Sequence, residues 1–80
     1  MLTERLIDLA DLRADEEPSL TRREIDCMGF VAEGKTDWEI SVILSVAEAT
    51  VRFHIDNARR KLNAVNRTQA VARLIQSGEI

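Results

Sequence analysis

An all-α fold of four helices, preceded by a short amphipathic helix, is predicted by three features of the chain. Apolar residues recur at helical spacing through most of the 80 residues. Two capping-box patterns, Thr21-Arg22-Arg23-Glu24 and Thr36-Asp37-Trp38-Glu39, mark helix starts, and no stretch reads as a strand, an internal repeat or a low-complexity tract. Eighty residues make one small domain, near the lower limit for folding without metal or disulfide support.

Leu2, Leu6, Leu9 and Leu12 predict an amphipathic helix over residues 2–14. Asp15-Glu16-Glu17-Pro18-Ser19 breaks it, because proline disfavours helix in the residue before it, so residues 1–18 read as helix plus acidic linker and 19–80 as the compact domain. The first domain helix opens at Thr21, runs through Cys27, Met28, Val31 and Ala32, and stops at Gly34 in the left-handed region. Gly29 weakens it by roughly 1 kcal/mol relative to alanine. Thr36 opens a short second helix with Ile40, Ile43 and Leu44 as its apolar stripe, and Ser45-Val46-Ala47 turns tightly into a third. Asn63 closes the third helix, and Asn66 caps a fourth that carries Ala70, Val71, Leu74 and Ile75 before Gly78.

The third helix has two unlike faces. At about 100° per residue, Val51, Ile55, Ala58 and Leu62 gather on one side, an ordinary core stripe. Ala49, Arg52, Phe53, Asp56 and Arg60 gather opposite. Two guanidiniums, a phenyl ring and a small residue on a face turned to water suit something to be held, and duplex DNA fits best.

A net charge of −3 opposes that reading as a total, but its distribution does not. Residues 1–19 carry −4 and the remainder +1, and Arg52, Arg59, Arg60, Lys61 and Arg67 face only Asp56 within their own stretch. Local potential governs phosphate binding more than the total does. A single Cys27 and a single His54 exclude an internal disulfide and a zinc constellation, and offer no catalytic dyad; no phosphate-binding glycine loop is present either. Neither a membrane-spanning run nor a signal peptide is seen, so the expectation is a cytoplasmic, non-enzymatic protein with no cofactor, no metal and no small-molecule ligand.

Two short helices joined by a three-residue turn describe a helix-turn-helix. The wording is more specific: LTRREIDCMGFVAEGKTDWEI followed by ATVRFHIDNARRKLNAVNRTQAV resembles the LuxR/GerE-type DNA-binding domain from Leu20 to Ile80. Cys27, Lys35-Thr36, Trp38-Glu39-Ile40 and Asn66-Arg67-Thr68-Gln69-Ala70 look most like the carboxy-terminal domains of quorum-sensing regulators. The resemblance implies four helices, residues 47–62 as a recognition helix in the major groove, and a homodimer made through the last helix on a twofold-symmetric operator. The sequence departs from the family pattern at Ala47, where a serine cap is usual, at Ser41 and Ser45, where alanine and glycine are common, at Ile25, usually polar, and at Asp56, usually basic or small.

On this reading Ala49, Arg52, Phe53 and Asp56 contact bases. Arg52 reads guanine or pairs with Glu48 or Asp56; Phe53 touches a thymine methyl or folds against the second helix; Asp56 repels phosphate but can accept from a cytosine amino group. Lys35, Thr36, Thr50, Arg59, Arg60 and Arg67 are the candidate phosphate contacts, with Lys61 a weaker one. Lys35 and Thr36 either flank a phosphate seat at a helix N-terminus or serve capping alone. His54 and Cys27 are expected in the core, His54 hydrogen-bonded. Trp38 packs across the first two helices or lies near the DNA backbone, and Glu24 and Glu39 are capping partners. Val71, Leu74 and Ile75 form the expected dimer interface, with part of that stripe docked on the first domain helix. RNA polymerase is a further candidate partner, for which Ile25 is the nominated surface residue. The rival reading is a heterodimerising interaction module that holds a full-length regulator inactive without productive DNA binding.

Overall fold

The computed structural model describes residues 19–80. The expected amphipathic helix and acidic linker over 1–18 lie outside the described residues. Four helices follow in order: α1 (Arg22–Ala32), α2 (Asp37–Leu44), α3 (Glu48–Lys61) and α4 (Arg67–Ser77). Both capping boxes form as expected. Thr21 Oγ1 accepts from Glu24 N at 3.1 Å while Glu24 Oε1 accepts from Thr21 N at 2.8 Å, and Thr36 and Glu39 repeat the pair at the same distances. Asn66 caps α4 by accepting from Gln69 N at 2.8 Å. Ala47 gives α3 no side-chain cap.

All four helices end by one device. A residue at positive φ (Gly34, Ser45, Asn63, Gly78) turns the chain, and the next N–H donates back across the turn: Lys35 to Phe30, Val46 to Ser41, Ala64 to Arg59 and Glu79 to Leu74, each at 3.0 Å. Three of these stops carry the glycine or asparagine that the left-handed region favours. Ser45, at φ 58°, does not.

Helix α3 is central and packs against each of the other three. Cys27 and Met28 of α1, Ile40 of α2, Val51, Ile55 and Ala58 of α3, Ala64 of the connector, and Ala70 and Leu74 of α4 form one buried core. Burial raises the Cys27 thiol pKa, with Asp26 adding to the effect, so this sulfur is an unreactive core group. No helix among the described residues is long and apolar enough to cross a membrane.

The α2 stripe differs from the expected one. Ile40, Ser41 and Leu44 turn inward, and the Ser41 hydroxyl is satisfied by donating to the Trp38 carbonyl at 2.6 Å. That face is centred between Ile40 and Ser41, which places Ile43 about 100° off it, so Ile43 is exposed. Trp38 and Val42 project on the far side of the same helix and are exposed as well, so Trp38 does not pack across α1 and α2.

Two ion pairs lock the helices together. Lys61 in the last turn of α3 reaches Glu24 of α1 at 2.9 Å, and Arg67 of α4 grips Asp37 of α2 with two bonds of 2.6 and 3.2 Å. Glu24 is buried; burial pushes its pKa up, but the Thr21 N–H and the Lys61 ammonium more than offset this and hold it below the usual carboxylate range.

Candidate nucleic-acid interface

The outward face of α3 is set by its core stripe. With Val51, Ile55 and Ala58 buried, Ala49, Arg52, Phe53 and Arg60 are exposed, Phe53 at 59%. A phenyl ring left this open does not serve as peripheral core. Its edge contact is with the half-buried His54, ring centroids 5.7 Å apart at 64°. No hydrogen bond of the His54 side chain is found among the described residues, which differs from the expected bonded core histidine. Arg52 pairs loosely with Glu48 at 3.8 Å rather than with Asp56.

Asp56 is the hub of the lower half of this face. It accepts from Arg59 Nε at 3.0 Å and from Arg60, which also donates to Asn57 Oδ1 at 2.6 Å. The Arg59 bond, with Arg60 adding its charge, holds the Asp56 carboxyl below the usual range. The acid is therefore neutralised by its own helix and orients two guanidiniums. Arg59 also donates to the Ala64 carbonyl at 3.1 Å, so it braces the α3–α4 connector and is largely withdrawn from solvent. Arg67 is likewise engaged, by Asp37, whose pKa is lowered chiefly by that bond. The sequence nominates both as phosphate contacts; the Arg59–Asp56 pair is signalled by its i, i+3 spacing, whereas Arg67 and Asp37 are 30 positions apart and have no local signature.

Arg52, Phe53, Asp56, Arg59, Val65, Asn66 and Arg67 surround a hollow of about 520 Å³ beside α3. Val65, 77% exposed, extends the apolar part of this surface; it was missed because a lone valine in a connector belongs to no periodic pattern. Above it, the N-terminus of α3 lacks a side-chain cap, and Thr50 N turns back to the Ala47 carbonyl at 3.0 Å. The N–H groups of Glu48 and Ala49 stay available to an anion. Lys35 and Thr36 are exposed at the start of α2, where the capping box occupies the N–H groups of Thr36 and Glu39 and leaves those of Asp37 and Trp38.

On α4, the expected dimer residues separate. Leu74 is fully buried against α1 and α3, so it is a core residue and has no surface to offer a partner. Val71 is half-buried, and Ile75 is exposed. A helix with Ala70 and Leu74 inward must turn Thr68, Ala72, Ile75 and Gln76 outward.

In sequence and overall fold the chain is similar to known proteins. The profile of the bacterial regulatory proteins of the luxR family matches residues 18–74. Transcriptional activator protein LuxR of Aliivibrio fischeri is 42% identical over 95% of this chain and 30% of its own length. The quorum sensing-dependent transcriptional regulator RpaR of Rhodopseudomonas palustris is 54% identical over 76% of this chain and 25% of its own. The solved structure of the transcription factor GerE superposes with a TM-score of 0.73 at 36% identity, covering 78% of this chain and 94% of that one. The chain thus spans about a quarter to a third of the length of the curated relatives named here. On fold and sequence together, this chain belongs to the luxR family of bacterial regulatory proteins and carries its helix-turn-helix DNA-binding domain.

Proposed function

We propose that residues 19–80 bind duplex DNA as a twofold-symmetric homodimer of a cytoplasmic quorum-sensing transcriptional regulator, with α3 in the major groove. The observation that carries this reading is the exposed α3 face: Arg52 and Phe53 open to solvent beside an uncapped helix N-terminus, with Arg60 at the other end. Ala49, Arg52 and Phe53 approach base edges. Arg52 forks onto guanine, and Phe53 rests on a thymine methyl. Arg60, Lys35, Thr36 and Thr50 hold phosphates, while Asp56 orients Arg59 and Arg60, and Arg67 ties α2 to α4.

The dimer forms across the outward strip of α4, where Ile75 supplies the apolar contact, Ala72 permits close approach and Val71 lies at the margin. Isologous pairing of two such helices presents two copies of α3 about one duplex turn, ~10 bp, apart. Contact with RNA polymerase would use a surface away from α3, Ile25 among the candidates.

Binding to duplex DNA measured at several salt concentrations tests this. Affinity should fall steeply with salt, each neutralised phosphate adding about −0.9 to the log–log slope. A salt-independent signal, or binding only to a full-length relative and never to duplex, would instead favour the heterodimerising module.

A further inference from the structure

The C-terminal ends of α3 and α4 enclose a basic groove of about 880 Å³ on whose rim the described chain begins. Ser19 and Leu20 line it together with Arg60, Lys61 and Arg73, three cations against the single carboxylate of Glu79. Lys61 reaches back to the Ser19 carbonyl at 3.5 Å, so the chain enters the domain directly beside these cations. Lys61 is committed to Glu24, but among the described residues Arg73 makes no ion pair, and Arg60 uses only part of its guanidinium on Asp56 and Asn57. Immediately before this entry point the sequence reads Asp15-Glu16-Glu17-Pro18.

We infer that Asp15, Glu16 and Glu17 dock in this groove against Arg73 and Arg60, and compete there with DNA phosphate. Three carboxylates lie within four residues of Ser19, a reach of at most about 14 Å even fully extended. The groove wall has two arginines with unused donors at that distance scale. The tether converts a weak contact into an intramolecular one at a high effective concentration. Because Arg60 belongs both to the groove and to the DNA face, a docked acidic stretch lowers DNA affinity without touching the base-reading residues. The consequence for DNA rests on the reading above; the docking itself does not.

The test is the D15N/E16Q/E17Q variant of the full chain against the parent, each with and without Arg73→Ala. In 15N spectra without DNA, docking predicts that the backbone amides of Arg73, Gln76 and Asn63 shift on neutralising the three acids, and that these differences vanish in the Arg73→Ala background. On duplex DNA at low salt, the neutralised chain should bind about three- to tenfold more tightly, the size expected of two exposed ion pairs, and Arg73→Ala should remove most of that gain. Unmoved amides overturn the docking. An affinity gain that persists undiminished in the Arg73→Ala background also overturns it, since general repulsion between acid and DNA needs no groove. If no form binds DNA, the nucleic-acid reading falls while the amide shifts still decide the docking.

Discussion

Lys61 Nζ and Glu24 Oε1 meet 2.9 Å apart, joining the last turn of α3 to the capping carboxylate of α1. One side chain therefore does two jobs: Glu24 closes the α1 N-terminus through Thr21 and ties the last turn of α3 to α1. Its substitution should be among the more damaging in the domain. Glu24→Ala removes a cap and leaves Lys61 against a partly buried wall, a loss of about 2–3 kcal/mol; Glu24→Gln, which keeps an acceptor for Thr21, should lose about 1 kcal/mol. Urea unfolding of both variants measures this; a Glu24→Gln variant as stable as the parent would show that the ion pair contributes nothing beyond the cap.

The same group sets the acid limit of stability. Glu24 and Asp37 both have folded-state pKa values below their unfolded ones. Their stabilisation is complete above the unfolded values, about pH 4, and is lost as pH falls through the lowered folded values. Unfolding free energy should therefore be flat from neutral pH to about 5 and fall below about 4. In Asp37→Asn and Glu24→Gln that fall should be shallower.

Arg67 and Asp37 should act as a pair. In a double-mutant cycle with Arg67→Ala and Asp37→Ala the coupling is expected at about 0.5–1 kcal/mol, since the arginine is 40% exposed and solvent screens it. A coupling near zero would mean that the Arg67–Asp37 pair does not stabilise the fold.

Two backbone positions leave room for improvement. Ala47→Ser supplies the missing side-chain acceptor at the α3 N-terminus and should stabilise by about 1 kcal/mol. Ser45→Gly relieves a left-handed residue and should add roughly 0.5–1 kcal/mol, less than the full steric penalty because glycine is freer when unfolded. The sites are only two residues apart, so their gains need not sum. Thermal and urea unfolding of the single and double variants check both.

Arg60→Ala should weaken binding to every duplex alike and flatten the salt slope by about 0.9, the signature of one lost phosphate contact. A change confined to particular sequences would move Arg60 from phosphate to base.

The legible parts of the fold were those with local signatures. Thr21, Thr36, Asn66, Gly34, Asn63 and Gly78 each announce a helix end by their own chemistry, and the structure has all six in those roles. Ser45 does the same work without the residue type that signals it. The inner face of α3 followed from its 3.6-residue period over 14 residues, whereas α2, with eight, carried too few positions to choose between Ile43 and Ser41 as its inward neighbour. Leu74 shows the limit on α4: periodicity names an apolar stripe but not which part of it the chain itself covers. On the outward face of α3, Arg52 is exposed as its helical position implies and Phe53 takes the exposed of its two alternatives, while Arg59, Arg67 and Asp56 were assigned without knowledge of their tertiary or i+3 and i+4 partners. Charged residues advertise charge, and only geometry shows what has already claimed it.

The most direct measurement is selection of binding sites from random duplexes by the full chain and by Arg52→Ala. If the outward face of α3 reads bases, the parent enriches a twofold-symmetric site with half-sites ~10 bp apart. Arg52→Ala then loses preference at one base pair in each half-site, a discrimination of about 1–3 kcal/mol. An identical selected site from both proteins, or no enrichment by the parent, would contradict it.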